Sequence, residues 1–214
     1  MTLCPDLYPV VDDENRYLYC TDRQTIERDA LPHRVVWGMM YSPGRDAWLV
    51  QWRRPTKFFC PNLWDISCAG HVNCISGDEP APESYPDAYR REMAEELRLS
   101  THVIGAESWP AVCDTDLTGS VLSIDIGLSK EYHHYPTPDG EPQWAKEHAY
   151  LFLSLYDGEV TLSPDAEPQA IAWLTATQIR DELIAPGRAT GALEMMLRRC
   201  TAFAREVLRL NPSI

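Results

Sequence analysis

Residues 69–99, AGHVNCISGDEPAPESYPDAYRREMAEELRL, carry the pattern that decides the fold. They open at the end of an apolar run, WDISCAGHV, where the small Ala69 and Gly70 permit close backbone packing or ligand approach. Residues 73–83, NCISGDEPAPE, combine Gly, Pro and acidic groups and read as a loop. A helix pattern then begins: Ser84 is the cap, Asp87 completes a capping box, and Pro86 is tolerated in the first turn. Ala88, Met93 and Leu97 mark its buried side. Residues three and four apart share a side of a helix, so Glu92 lies near Glu95 and Glu96, and Arg91 reaches Glu95.

Carboxylates this close repel one another unless water, a base or a cation compensates them. Hard oxygen donors at this spacing suit Mg²⁺ or Mn²⁺, which bridge phosphates and lower the pKa of a water nucleophile. A solvated charged face explains an acidic cluster equally well, so the helix by itself leaves both readings open.

Outward from this stretch, RVVWGMMY (34–41) and AWLVQWR (47–53) read as strands separated by a Pro43-Gly44 turn. Further strands are expected at 64–72, 121–128, 148–156, 159–162 and 169–174, and helices at 175–183 and 192–208. The first thirty residues are polar, with a short strand at 17–20 and a helical turn at 25–30. Residues 136–147, PTPDGEPQWAKE, read as a loop long enough to border a cleft. No internal repeat is present. The order of elements favours one mixed α/β sandwich. We expect an N-terminal extension over 1–30, the main domain over 31–185 and a C-terminal helix over 186–214. That helix packs on the same domain through Leu193, Met196, Leu197 and Phe203.

The chain has 214 residues and a formal net charge of -13. It holds no basic block to neutralise a nucleic-acid backbone. A small phosphorylated ligand stays compatible, because a bound cation supplies positive charge locally. No run approaches the roughly 18 apolar residues of a membrane helix, and the N-terminus lacks a secretory pattern, which leaves the cytoplasm as the expected location. The seven cysteines are scattered, odd in number and without a Cys-x-x-Cys pair, so free thiols are expected. A homodimer is compatible with the aromatic-rich composition, which locates no interface.

The 69–99 stretch resembles the signature of Nudix hydrolases: Glu83, seven intervening residues, then Arg91-Glu92-Met93-Ala94-Glu95-Glu96-Leu97. Gly77 fits the nominal count to Glu83, but the AGHV setting makes Gly70 the structural counterpart, with an expanded loop between. Arg98-Leu99 stands where the family has Gly-aliphatic. The resemblance implies a Nudix-type α/β/α sandwich with a mixed sheet. It also implies hydrolysis of a phosphoanhydride bond in a nucleoside diphosphate derivative or related small diphosphate, with Mg²⁺ or Mn²⁺ as cofactor. It carries metal-ligand roles onto Glu92, Glu95 and Glu96, and an orienting role onto Arg91.

Residues 31–72, with the later EHAYLFLS, further resemble the isopentenyl diphosphate isomerase branch. Isomerases carry a catalytic Cys immediately before the Gly-His pair, where this chain has Ala69. Cys68 lies one residue earlier, on the opposite face of a strand. Ala145 replaces one of the paired acids and Glu147 retains the other, so hydrolysis is the favoured reading, with isomerase-like activity or a noncatalytic diphosphate-binding module as alternatives. Glu147 is assigned to the catalytic set, and Arg53, Arg54, Lys57, His71 and Trp64 to substrate binding. Arginine forms bidentate phosphate contacts, lysine acts as a point charge and Trp64 can stack on a base. The neighbouring His133 and His134 point apart on a strand and make a poor metal pair.

Overall fold

The structure is a computed structural model describing residues 3–4, 7–57, 59–77, 80–112, 115–136, 142–163 and 168–210. It is of the α/β class, with a mixed sheet and flanking helices. The chain divides into two compact units. One comprises Met1–Trp37, Ala69–Tyr89 and Gly127–Leu151; the other comprises Gly38–Cys68, Arg90–Ile126 and Phe152–Ile214.

In the first unit, Leu7–Val11 pairs antiparallel with Tyr17–Asp22, and Val10 meets His33 at the start of the His33–Ser42 strand. Two short strands inside the expected 73–83 loop correct that reading: Cys74–Ile75 pairs with Ala81–Pro82 and with Leu3–Cys4. A tight antiparallel pairing satisfies loop amides that water would otherwise have to satisfy. The expectation of free thiols is also corrected, because Cys20 and Cys74 form a disulfide across 54 residues. Val10, Val11, Ile26, Val35, Val36, Val72 and Tyr89 are buried in this unit.

In the second unit, Ala47–Arg53 pairs antiparallel with Met40–Ser42, with Pro168–Leu174 and with Trp64–Asp65. Thr101–Ile104, not foreseen as a strand, runs parallel to the first residues of Val121–Pro136, which makes the pairing mixed. Buried hydroxyls take the place of apolar packing at two points. Ser67 Oγ accepts the Met40 amide at 2.7 Å and donates to the Leu49 carbonyl at 2.6 Å. Thr101, Ser123 and Ser154 form a hydroxyl chain. The Gly191–Glu206 helix is capped by Thr190, whose Oγ accepts the Leu193 amide at 3.1 Å. It buries Leu193, Met196, Leu197 and Cys200, while Phe203 is half-buried.

Other boundaries moved. The expected 64–72 strand is broken into Trp64–Asp65 and Cys68–His71. The 121–128 strand extends to Pro136 and the 148–156 strand starts at Pro142, so much of the expected 136–147 loop is strand; residues 137–141 lie outside the described residues. No strand forms at 159–162, because the polar groups there turn elsewhere: the Tyr156 hydroxyl donates to the Glu159 carbonyl and the Ser163 amide to that of Glu96. The 175–183 helix is a capped turn, Ala176–Gln178, followed by a π-helical Ile179–Ile184. Among the described residues no helix is long and apolar enough to cross a membrane.

The signature segment forms the Tyr85–Leu97 helix. Ser84 Oγ accepts the Asp87 amide at 3.2 Å and donates to the Asp87 carboxylate at 2.6 Å, the capping expected from the residues. Ala88, Tyr89, Met93 and Leu97 are wholly buried. The helix ends at Arg98, whose φ of 56° is left-handed, and the Leu99 amide folds back onto the Met93 carbonyl at 3.2 Å. The arginine therefore adopts the conformation that glycine takes without a Cβ penalty. Arg98→Gly is expected to raise the unfolding free energy by about 0.5–1 kcal/mol, the left-handed cost less the added chain entropy of glycine. Denaturant unfolding reads this directly, and a less stable variant contradicts it.

Candidate active site

The helix periodicity sets the environment of each carboxylate. Glu92 and Glu96 recur with Met93 and Leu97 along the buried stripe; Glu95 turns outward, with 58% of its side chain exposed. Arg91 Nη1 donates to Glu92 Oε1 at 2.6 Å and to Glu95 Oε2 at 3.1 Å, so one guanidinium bridges two acids. Glu96 is only 5% exposed, and its Oε2 has no hydrogen-bond partner. Burial, and then the Glu92 charge, push its carboxyl up to about 8, while the Lys57 charge and a Cys68 hydrogen bond act in the opposite direction. Cys68 is itself wholly buried, and burial followed by the Glu96 charge raises its thiol far out of the reactive range.

These observations test whether a divalent cation fits. An oxygen-only donor set, a buried carboxylate oxygen without a partner and two mutually repelling acids are what a hard cation compensates. Glu92 and Glu96 fit that role, with Glu95 beside them. Among the described residues, no three His, Cys, Asp or Glu side chains stand together in a ligating arrangement.

The basic segment divides. Arg53 Nη1 pairs with Asp65 Oδ2 at 2.6 Å, and Nη2 donates to the Phe59 carbonyl at 2.9 Å. Its fork is thus engaged in closing the 54–63 turn. Asp65 also accepts the Thr190 hydroxyl at 2.6 Å and the Ile66 amide at 2.9 Å. Arg54 is exposed, and Lys57 is half-buried within electrostatic range of Glu96. Trp64 packs edge-on to Trp52, ring centroids 5.3 Å apart.

In the first unit, Glu83 is 5% exposed; its Oε1 accepts the Asn73 amide at 2.8 Å, and its own amide donates to the Asn73 carbonyl at 2.9 Å. His71 stacks on His33 at 5.2 Å between centroids and tilts against Tyr8 at 5.0 Å. His33 Nδ1 lies 2.9 Å from the Leu31 carbonyl, which only accepts, so in the neutral ring Nδ1 carries the proton and Nε2 the lone pair. That Nε2 stands 4.0 Å from Glu147 Oε1. His133 stacks on Trp37 at 6.0 Å and has Glu131 3.7 Å from Nε2; the His134 side chain lies outside the described residues.

His33, Asp65 and Asn73 were not singled out from the sequence. Asp65 and Asn73 each flank a recognised run, but only pairing in space reveals their partners. His33 sits in the LPHRVV run, far along the chain from both His71 and Glu147, and no spacing rule links them.

Comparison with known proteins identifies the family and the fold. The model of the NUDIX domain matches residues 31–193, and the chain belongs to that family as an enzyme of Nudix hydrolase type. A protein named Nudix hydrolase from Deinococcus radiodurans is 26% identical over 170 residues, covering 78% of this chain and 77% of the relative. A solved Deinococcus radiodurans protein shares the fold with a TM-score of 0.57 at 22% identity, over 91% of this chain and 98% of that one. A MutT protein from Methanosarcina mazei Go1 follows at 0.51 and 14% identity, over 82% and 96%.

Burial holds the His33 imidazole down at about 4, against an ordinary value of 6.5. As pH falls through that window the unfolded chain takes up the proton first. His33 therefore adds stability above pH 6.5 that is lost on descending to about 4, on the order of 3 kcal/mol in total. Glu96 acts with the opposite sign between its ordinary value of 4.5 and about 8, so the contribution is isolated by difference. The gap in unfolding free energy between the native chain and His33→Gln is expected to shrink by that amount from pH 7 to pH 4. A gap independent of pH contradicts it.

Proposed function

We propose that this enzyme hydrolyses a phosphoanhydride bond in a nucleoside diphosphate derivative or related small diphosphate, with Glu92, Glu95 and Glu96 holding Mg²⁺ or Mn²⁺. One observation carries the reading: Glu96 is buried, has an oxygen without a partner and lies beside a second carboxylate on the signature helix. When bound, the cation neutralises charge on the diphosphate oxygens and makes a water nucleophilic near neutral pH. The chain's own residues do the rest. Arg91 orients Glu92 and Glu95 through its bridging guanidinium. Lys57 offers a positive charge toward Glu96 and the phosphates, and Arg54 a second at the exposed turn. Arg53 serves substrate binding indirectly, by shaping the turn that presents Arg54 and Lys57. Glu147 is proposed for the catalytic set and His71 and Trp64 for substrate binding, and the catalytic domain is taken to run over 31–185.

Affinity to the isopentenyl diphosphate isomerase branch belongs to the same proposal. A second reading, proton transfer on an isoprenoid diphosphate, draws support from the stacked His33 and His71 with Glu147 beside His33. Against it stand Ala69 at the position of the catalytic thiol and the buried, raised thiol of Cys68.

Product-resolved turnover on nucleoside diphosphate sugars, dinucleoside polyphosphates, nucleoside triphosphates and isopentenyl diphosphate, with Mg²⁺ or Mn²⁺, separates the two. We expect phosphoanhydride cleavage that chelation abolishes, and that Glu96→Gln reduces by about 100-fold or more in kcat/KM. Double-bond migration with the diphosphate intact contradicts the proposal, as does cleavage that Glu96→Gln leaves unchanged.

A further inference from the structure

The loop that leads into Glu83 is held from one strand at two points. Cys20, on Tyr17–Asp22, is covalently bound to Cys74 on the loop's ascending arm. The Tyr17 hydroxyl, on the same strand, donates to the Pro80 carbonyl on the descending arm at 2.7 Å. Between these anchors the arms pair, with Cys74 opposite Pro82 and Ile75 opposite Ala81. One residue inside Cys74 lies Asn73, which closes the base of the loop by exchanging two hydrogen bonds with Glu83. A carboxylate this buried depends on such donors to stay in one place. The Asn73 amide can serve Glu83 Oε1 only while the backbone at residues 73 and 74 is fixed.

Cys60, Cys68 and Cys200 form no disulfide, and the cysteine spacing carries no scaffold pattern. Cys74 is wholly buried, whereas Cys20 is only half-buried, on a strand whose Tyr17, Leu18 and Tyr19 are exposed. Cys20 is therefore the less buried of the two partners, with the Tyr17 hydroxyl 3.4 Å from its Sγ, and is the sulfur at which exchange begins in the proposal below.

We propose that the Cys20–Cys74 disulfide is a redox-sensitive positioning bond: closed, it fixes Glu83 through Asn73, and opened by a dithiol it releases Glu83 and slows the reaction. The effect on rate rests on the hydrolase reading above, in which Glu83 belongs to the acidic signature. A dithiol thiolate attacks Cys20 Sγ, the S–S bond breaks, and the electron pair leaves on Cys74 Sγ, which takes up a proton. The reagent's second thiolate then closes its own disulfide and releases Cys20 as a thiolate. Two electrons pass from the dithiol to the protein, and an oxidised dithiol reverses the exchange.

The test uses the full chain, oxidised or reduced with dithiothreitol, at a temperature where circular dichroism shows both forms folded. Peptide mass mapping confirms Cys20–Cys74 in the oxidised form; any other pairing of Cys74 overturns the proposal. Residue-resolved hydrogen exchange then follows the Asn73 and Glu83 amides. We expect reduction, or Cys20→Ser, to speed exchange at both by about tenfold or more. Unchanged exchange overturns the coupling whatever the activity. On a substrate from the turnover panel, reduction is expected to lower kcat about tenfold with KM within twofold. Reoxidation restores it, and Glu83→Gln is slow in both states with no further response to the reductant. A Glu83→Gln enzyme that still loses tenfold on reduction places the effect elsewhere and overturns the proposal. Faster exchange without hydrolysis in either state supports the coupling and contradicts the hydrolase reading.

Discussion

The Glu96 carboxylate is the constraint on which the site turns. It lies on the same helical stripe as Met93 and Leu97, so the packing that buries those side chains also strips Glu96 of water. A lone carboxylate in that position would protonate, and the neighbouring Glu92 charge pushes it further that way. Ordinary core design replaces such a group with an apolar one. With Arg91 donating to Glu92 and Glu95, the Lys57 charge offsets only part of the burial and of the Glu92 repulsion at Glu96, and the carboxyl stays raised. Under the proposed function a divalent cation would offset the remainder.

The rest of the second unit supports that helix by satisfying polar groups internally. Asp65 gathers Arg53, Thr190 and its neighbouring Ile66 amide, and in doing so ties the 54–63 turn to the cap of the last helix. Arg53 thereby shows that a basic residue next to a phosphate-binding candidate can be structural. Its five donors are worth more to the buried Asp65 and to two turn carbonyls than to solvent.

Much of this was legible in the residues. The Tyr85–Leu97 helix, its Ser84 cap, its buried side and the Arg91–Glu95 contact follow from helical spacing, which is local. The Ala47–Arg53 strand follows from its apolar run and the turn before it. What escaped depends on long-range pairing. Thr101–Ile104 is short and mixed in character, and becomes a strand because Val121–Ile124 runs beside it. The disulfide was invisible because no local pattern joins Cys20 to Cys74 across 54 residues. Likewise, the burial that makes Glu96 differ from Glu95 is a tertiary property, although the two are adjacent in sequence.

The central claim is that Glu96 is the buried half of a cation site. Calorimetric titration of Mn²⁺ into the protein, in buffers of differing ionisation enthalpy, tests it without reference to any substrate. With the Glu96 carboxyl at about 8 in the free protein, the account predicts saturable binding that releases roughly one proton at pH 7. The release should fade above pH 8, and Glu96→Gln should weaken binding strongly. Binding of equal affinity in Glu96→Gln, with no proton released by the native chain at pH 7, would contradict it.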